Sequence, residues 1–437
     1  MFHASVGGRD AARPRSGRNQ YSKYRHALVA FISPLLGPLK TGRGWSECAL
    51  ALCSVLMCWE TAPTLAQRLE SVLLVLDAAL PRRRRVGRTY QGYIKAMSAR
   101  GAAALETLTA HLRTLSIAAA GKAWSIGGLV PIGADGSRFD APRTIGNEPL
   151  GVGGRDKSGP QMVMLLLVHL GSMLPWAWKI GGACTSERAL LRDLLHLLPR
   201  NALLVADAGF VGFDLMSGIR AGGLHLLIRV GNNVRLLKDL GYYRREGKNT
   251  VYLWPDHLRS RAPLVLRLVR LGSVYLVTDI TDPRVLSRRT ASELYRRRWG
   301  LEVAFRTLKR TLERHKMRSG TAAHSMMELD WTVVGLWVLG LLGVRCIAAD
   351  GVGPRRLSMA LALAAVRHAA RARPSQRALR GRLRRAVLDS CKRTTSKKSY
   401  RAPRKKDPPS CGAPIIAAAS AAQVKRAQEL RRRKTAA

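Results

Sequence analysis

The chain has 437 residues, 47% of them hydrophobic, and carries 74 Lys and Arg against 28 Asp and Glu, a formal net charge of +46. That length exceeds one ordinary domain and points to about two to four folding units with material for a sizeable core. A chain this basic repels itself unless a polyanion is near. Nucleic acid is the natural partner, because each neutralised phosphate releases condensed counterions, although an anionic membrane surface would attract the same charge.

Residues 1–26 are basic, with little apolar periodicity, and read as a loose arm; they hold no apolar stretch of the kind a secretory signal needs. From Tyr24 to Leu115 the chain is rich in Ala, Leu and Arg, which predicts helices. Within it, Pro81–Arg88 is a dense basic turn ahead of a helix bearing Tyr90, Tyr93 and Lys95, suited equally to a phosphate contact or to a solvated surface. Seven cysteines are present without a CxxC pair, and Cys48, Cys53 and Cys58 lie five apart, so the spacing argues against zinc and for reduced, mostly buried thiols in a cytosolic protein.

Near residue 126 the texture changes to an α/β pattern. Gly127–Ala134 predicts a strand ending at Asp135, and Arg138–Ile145 a return strand. Gly151–Gly159 is a glycine-rich connection; Lys157 follows Asp156 rather than Gly, so it is not a phosphate loop. Met162–Leu170 predicts a strand and Glu187–Leu198 a helix. Ala202–Ala206 predicts a buried strand ending at Asp207, and Leu224–Val230 another. Thr250–Trp254, Leu264–Leu271 and Ser273–Ile280 form a β-rich insertion at about 236–284, with Gly272-Ser273 as a hairpin turn. Ser287–Met317 predicts a helix, and Trp331–Val344 a core helix shorter than the roughly 20 residues a bilayer demands. Residues 351–437 read as a basic, disordered tail, in which 371–437 hold 21 Lys and Arg against three acids.

Acids placed directly after buried strands invite a chemical reading. Cutting and joining phosphodiesters is served by two hard cations on oxygen ligands, and carboxylates at the ends of adjacent strands can supply these. Asp135 and Asp207 fit, as would any turn-forming Asp. Glu302 lies in Tyr295-Arg-Arg-Arg-Trp-Gly-Leu-Glu-Val-Ala-Phe-Arg-Thr-Leu-Lys309. At about 100° per residue, Tyr295, Arg298, Glu302 and Lys309 share one face, and Leu294, Leu301, Ala304, Phe305 and Leu308 form an apolar stripe on another. A surface ion pair between Arg298 and Glu302 would explain the acid as well. Asp140 and Asp214 close no predicted strand. Trp254 and Trp299 are read as core before stacking partners.

The spacing Tyr295-x2-Arg298-x3-Glu302-x6-Lys309, with acids in Asp135-Gly-Ser and Asp207-x-Gly-Phe, resembles the YREK signature and acid order of the DDE transposases of the insertion-sequence-four family, the Tn-five-like group. The resemblance covers roughly 126–350. It implies a ribonuclease-H-like core (126–350) in which Asp135, Asp207 and Glu302 hold two magnesium ions, with manganese as a substitute. Tyr295, Arg298 and Lys309 would then hold DNA near the cut, and Arg306 and Arg229 are further DNA-contact candidates. It implies an N-terminal helical domain (27–125) that reads terminal inverted repeats, double-stranded DNA as partner and target, a homodimer in the synaptic complex, no membrane, and a cytoplasmic, nucleoid-associated location in a bacterium. The alternative is a catalytically inactive relative that occupies inverted repeats; a third reading is a metal nuclease that cuts without joining.

Overall fold

A computed structural model describes residues 26–80, 85–153, 159–388 and 412–436. The arm at 1–25, the core of the basic turn at 81–84, and 154–158 of the glycine-rich connection lie outside the described residues.

The predicted N-terminal helices are present as α1 (Ala27–Ile32), α2 (Glu47–Trp59), α3 (Leu65–Ala79) and α4 (Tyr90–Ala120). Ser46 and Thr89 each cap a helix through a side-chain oxygen, and Thr64 with Gln67 forms a reciprocal capping box that starts α3. α2 buries every residue from Ala49 to Trp59, because it lies inside a bundle rather than on its surface.

The strands are β1 (Val130–Asp140), β2 (Gln161–His169), β3 (Leu174–Gly182), β4 (Ala202–Ala206) and β5 (His225–Val230), followed by β6 (Arg235–Lys238), β7 (Thr250–Leu253), β8 (Leu264–Leu271), β9 (Val274–Thr278) and β10 (Ile415–Ala418). They form one ten-stranded sheet in the order β10-β6-β7-β8-β9-β5-β4-β1-β2-β3. β1, β2 and β3 run as an antiparallel meander, while β4 and β5 run parallel to β1. The crossovers into β4 and β5 carry α5 (Glu187–Leu194) and α6 (Phe213–Ala221), and both pack on one face of the sheet with Val163, Leu165 and Leu204. The opposite face meets α7 (Arg288–Arg306) and α8 (Ala322–Ala348).

Several expectations change. Asp135 does not end a strand: β1 continues to Asp140, and the stretch from Arg138 pairs with β2 in place of forming a return strand. Pairing with β2 holds Gly136 and Ser137 extended, with ladder partners as far as Asp140↔Gln161. Asp140, read as closing no strand, is the last residue of β1; its carboxylate accepts a hydrogen bond from Gln161 Nε2 at 2.6 Å. β9 pairs with β5, so the insertion widens the central sheet, with Gly272 (φ 63°) turning the β8–β9 hairpin as expected.

The helix predicted to Met317 stops earlier. α7 passes into one wide π turn at Thr307–Thr311, where Leu312 N bonds Thr307 O, and Glu313 then takes a left-handed conformation (φ 57°). α8 spans 27 residues and on length and composition could cross a bilayer, yet 89% of its most apolar window is buried, which makes it a core helix.

The expected disordered tail is corrected over most of its length. α9 (Met359–Ala372) and α10 (Gln376–Arg384) bury Leu363, Val366, Leu379 and Leu383 in the bundle core. β10 pairs in parallel with β6, and α11 (Ala421–Ala436) buries Ala427 against the insertion. Composition concealed these elements because their cations lie on outer faces and their few apolar residues are spaced for burial.

Candidate active site

Alternation along the strands decides which acids meet. In β4, Leu203 and Val205 face α7; Asp207 follows at the same parity, one residue past the strand. In β1, Gly133 lies under α7, and Asp135 is two residues on. Gly133 pairs with Val205, so Asp135 and Asp207 stand two residues beyond a shared rung, where β1 outruns its parallel neighbour. Asp140 has the opposite parity and faces away.

Gly133 also sets the height of α7 above the sheet. A Cβ there would come within 2.5 Å of Leu301 Cδ1 and 2.7 Å of Leu170 Cδ2, so glycine lets α7 lie this close without displacing either leucine. Leu301 is buried in that contact, and Glu302, the next residue, faces the strand ends.

Arg298 joins the three acids. Its guanidinium lies 3.6 Å from Asp135 Oδ2, 3.7 Å from Asp207 Oδ2 and 3.9 Å from Glu302 Oε1, and the residue is 7% exposed. Its Nε has no hydrogen-bond partner among the described residues. Tyr295 donates its hydroxyl to Asp207 Oδ1 at 3.3 Å, and Arg229 approaches the same oxygen at 3.8 Å. The wide turn brings Lys309 back over β1: Nζ donates to Ser137 Oγ at 2.7 Å and lies 4.9 Å from the Phe139 ring centre. Arg306 is exposed, one turn below.

Burial pushes the Asp135 carboxyl up to about 6; Arg298 and the Gly136 amide act against that rise, whereas the neighbouring Glu187 and Glu302 add to it. Burial likewise raises the Tyr295 hydroxyl, helped by the charge of Asp207. Asp207 and Asp135 each accept a hydrogen bond from the following backbone N–H, which fixes their rotamers.

Sequence reasoning missed two site residues. One is Gly133, although a lone glycine inside an apolar strand is a recognisable sign of close approach. The other is Glu187, at the start of α5 on the opposite face of the sheet from α7, whose carboxylate sits where a Cβ on Gly136 would meet it at 2.1 Å and whose charge still reaches Asp135. Burial raises its carboxyl and Arg138 opposes the rise. Trp254 is core as expected, but Trp299 is corrected: it is 60% exposed, on the side of α7 away from the sheet.

Among the described residues, no group of three or more His, Cys, Asp or Glu side chains is arranged to hold a metal ion as it stands. The donor chemistry nonetheless suits a hard cation. Three carboxylates share one buried guanidinium, leaving excess negative charge and oxygen donors on one side of a sheet.

Residues 133–333 match the family model of the transposase DDE domain. Transposase InsG for insertion sequence element IS4, from Escherichia coli (strain K12), is 25% identical over 190 residues, 40% of this chain, and the chain spans 42% of that relative's length. A cryo-EM structure of a piggyBac transposase synaptic complex with hairpin DNA is similar at a TM-score of 0.35 and 12% identity over 86% of this chain and 84% of that one, a likeness too loose to carry residues across. All three acids lie inside the matched segment, so over residues 133–333 the chain is similar to DDE transposases of the IS4 type.

Proposed function

We propose that the chain is a DNA transposase that cleaves DNA at the ends of an insertion sequence and joins the freed end to target DNA, with Asp135, Asp207 and Glu302 as the catalytic carboxylates. The observation that carries this reading is the convergence of those acids, from two strands and a helix, on one guanidinium within 3.9 Å. The order β3-β2-β1-β4-β5, antiparallel then parallel, supports a ribonuclease-H-like core. The finer partners follow from the family: terminal inverted repeats, target DNA, and a second copy in the synaptic complex.

Asp135, Asp207 and Glu302 would hold the divalent cations, two magnesium ions or manganese in their place, which supply charge to the attacking and leaving oxygens. In the first step water attacks the phosphorus and the bond to the 3′ oxygen breaks, leaving a 3′ hydroxyl. In the second that hydroxyl attacks a target phosphodiester and expels another 3′ oxygen. The protein's part is orientation and charge. Tyr295 steers Asp207, Gly133 holds Glu302 down to the strand ends, and Lys309 and Arg306 place cations beside the path of the backbone. Arg298 is placed to exchange a carboxylate for a phosphate oxygen, to which its fork is equally suited.

The test is cleavage of DNA bearing the element's own ends, in magnesium, by the wild type and by Asp135→Asn. The expected result is cutting and joining by the wild type and neither by the variant, with binding retained. Binding without cutting at every magnesium or manganese level would overturn the catalytic reading in favour of a DNA-occupying relative.

A further inference from the structure

The insertion and the segment entering α7 enclose a cleft of about 610 Å³. Its walls carry Arg245, Lys248, Arg267, Arg270, Arg284 and Arg288, with one carboxylate, Asp282. Arg284 already engages that acid, with Nη2 2.8 Å from Oδ2, so five cations are left facing a common space. Arg245, Lys248 and Arg288 are exposed and, among the described residues, pair with no carboxylate; Arg270 reaches only the Gly272 carbonyl and the Tyr275 ring. Arg267 is 8% exposed and donates Nη2 to the Leu286 carbonyl, while its Nε has no acceptor among the described residues. Arg267 therefore adds positive charge to the cleft wall from beneath, and the exposed Arg245, Lys248, Arg270 and Arg288 are the groups a ligand can reach. Cations on concave, low-dielectric walls also focus a positive potential into the cleft.

Position selects the anion. Arg288 opens α7, and Glu302 lies 14 residues further along it. At 1.5 Å per residue that is roughly 21 Å, about six steps of duplex at 3.4 Å per nucleotide. Arg288, at about 40° from Glu302 around α7, lies nearer the face of the acids than the exposed Arg296 does. We infer that this cleft seats the sugar-phosphate backbone of the DNA being cut, about six nucleotide steps from the scissile bond. The inference rests on the transposase reading and adds a site remote from the carboxylates, where a strand is gripped without being read. Guanidinium groups at a phosphate backbone contribute affinity and register, not sequence preference.

The experiment compares wild type, Arg245→Ala/Lys248→Ala, and Arg377→Ala/Arg382→Ala. The last pair removes two exposed cations from α10, which do not line the cleft. Each protein is titrated with element-end DNA over a range of salt, and phosphates are mapped by ethylation interference. Both cleft substitutions lie on an exposed loop, and unchanged thermal melting confirms folding. The expected result is a salt slope shallower by roughly one to two for the cleft variant alone. Interference should fade at phosphates about six steps from the cut and persist near the cut itself. A slope and interference map equal to wild type, from a wild type that cuts, would overturn the cleft and leave the transposase reading standing. An equal loss in the α10 variant would also overturn it, by making the effect a general basic coat. A wild type that neither binds nor cuts the ends would overturn both.

Discussion

Arg298 stands within 3.9 Å of Asp135, Asp207 and Glu302, nearly out of solvent. Replacing it with Met keeps the volume and leaves three carboxylates facing one another. The expected cost without cations is roughly 3 kcal/mol, typical of stripping one partner from a buried charge group. Magnesium should then raise the melting temperature of Arg298→Met by more than it raises that of the wild type. An equal rise in both would show that the guanidinium does not stand where cations bind. A second residue sets a pH dependence away from the site. Asp330 on α8 accepts a hydrogen bond from Trp178 Nε1 at 2.7 Å, and burial raises its carboxyl to about 6. Between the ordinary value near 4 and about 6 the folded state holds more protons than the unfolded one, so this group's contribution to stability falls as pH rises through that window. Asp330→Asn keeps an acceptor for Trp178 without the charge. Denaturant unfolding at pH 7.5 should show it more stable than wild type by on the order of 1–2 kcal/mol, with the difference vanishing near pH 4; a pH-independent difference would refute the titration argument.

At the scale of elements, the site depends on how closely α7 lies on β1. Gly133→Ala places a methyl 2.5 Å from Leu301 Cδ1 and 2.7 Å from Leu170 Cδ2, so both leucine side chains must shift. Overpacking of this kind costs about 1–3 kcal/mol, and here it lifts the turn that carries Glu302. The expected outcome is a modest loss in melting temperature and a large loss in cleavage, because catalysis tolerates misplacement worse than stability does. Cleavage falling only in proportion to the folded fraction would remove Gly133 from the positioning of Glu302. The π turn at Thr307–Thr311 acts at the other end of the same helix. By ending regular helix there, the chain returns Lys309 to Ser137 and then pairs Asp140 with Lys316 alongside β1. An ideal helix places Lys309 on the right face, but only the wide turn brings its amine down to the strand.

For the whole molecule, the ten-stranded sheet joins segments far apart in sequence. β10 covers the edge of β6, and α11 ties down the insertion through Arg426 to the Arg259 carbonyl and Arg431 to the Gly241 carbonyl. Removing residues 412–437 should bare the β6 edge and the apolar surface of the insertion that Ala427 covers. We expect a lower melting temperature and concentration-dependent association, since an open edge invites pairing. Monodisperse behaviour with unchanged melting would show that β10 and α11 add nothing to the fold. The helices before β1 are bound equally firmly: Trp59 Nε1 donates to the Gly335 carbonyl, and Arg314 reaches the carbonyls of Met57 and Cys58, so motion of this helical unit must break contacts with α8.

The sequence by itself determined the parts whose signals are local. Helices before residue 120, the buried strands β2, β4 and β5, the β8–β9 hairpin and the apolar core helix all follow from periodicity, caps and turn residues over a few neighbours. Asp135, Asp207 and Glu302 could be proposed because together they match a family's motif at its spacing; singly, each also fits a turn or a surface ion pair. Tertiary structure alone decided the rest. Asp135 lies within a strand because β2 gives β1 partners to Asp140, and the two aspartates meet because β1 and β4 share a register. Gly133 matters because Leu301, 168 positions later, comes down on it. The described parts of the basic C-terminal segment are ordered because β6 leaves an edge for β10 and the bundle leaves room for Leu379 and Leu383; 389–411 lies outside the described residues. Those facts are pairings between remote segments, and neither composition nor period records which remote segment a residue will meet.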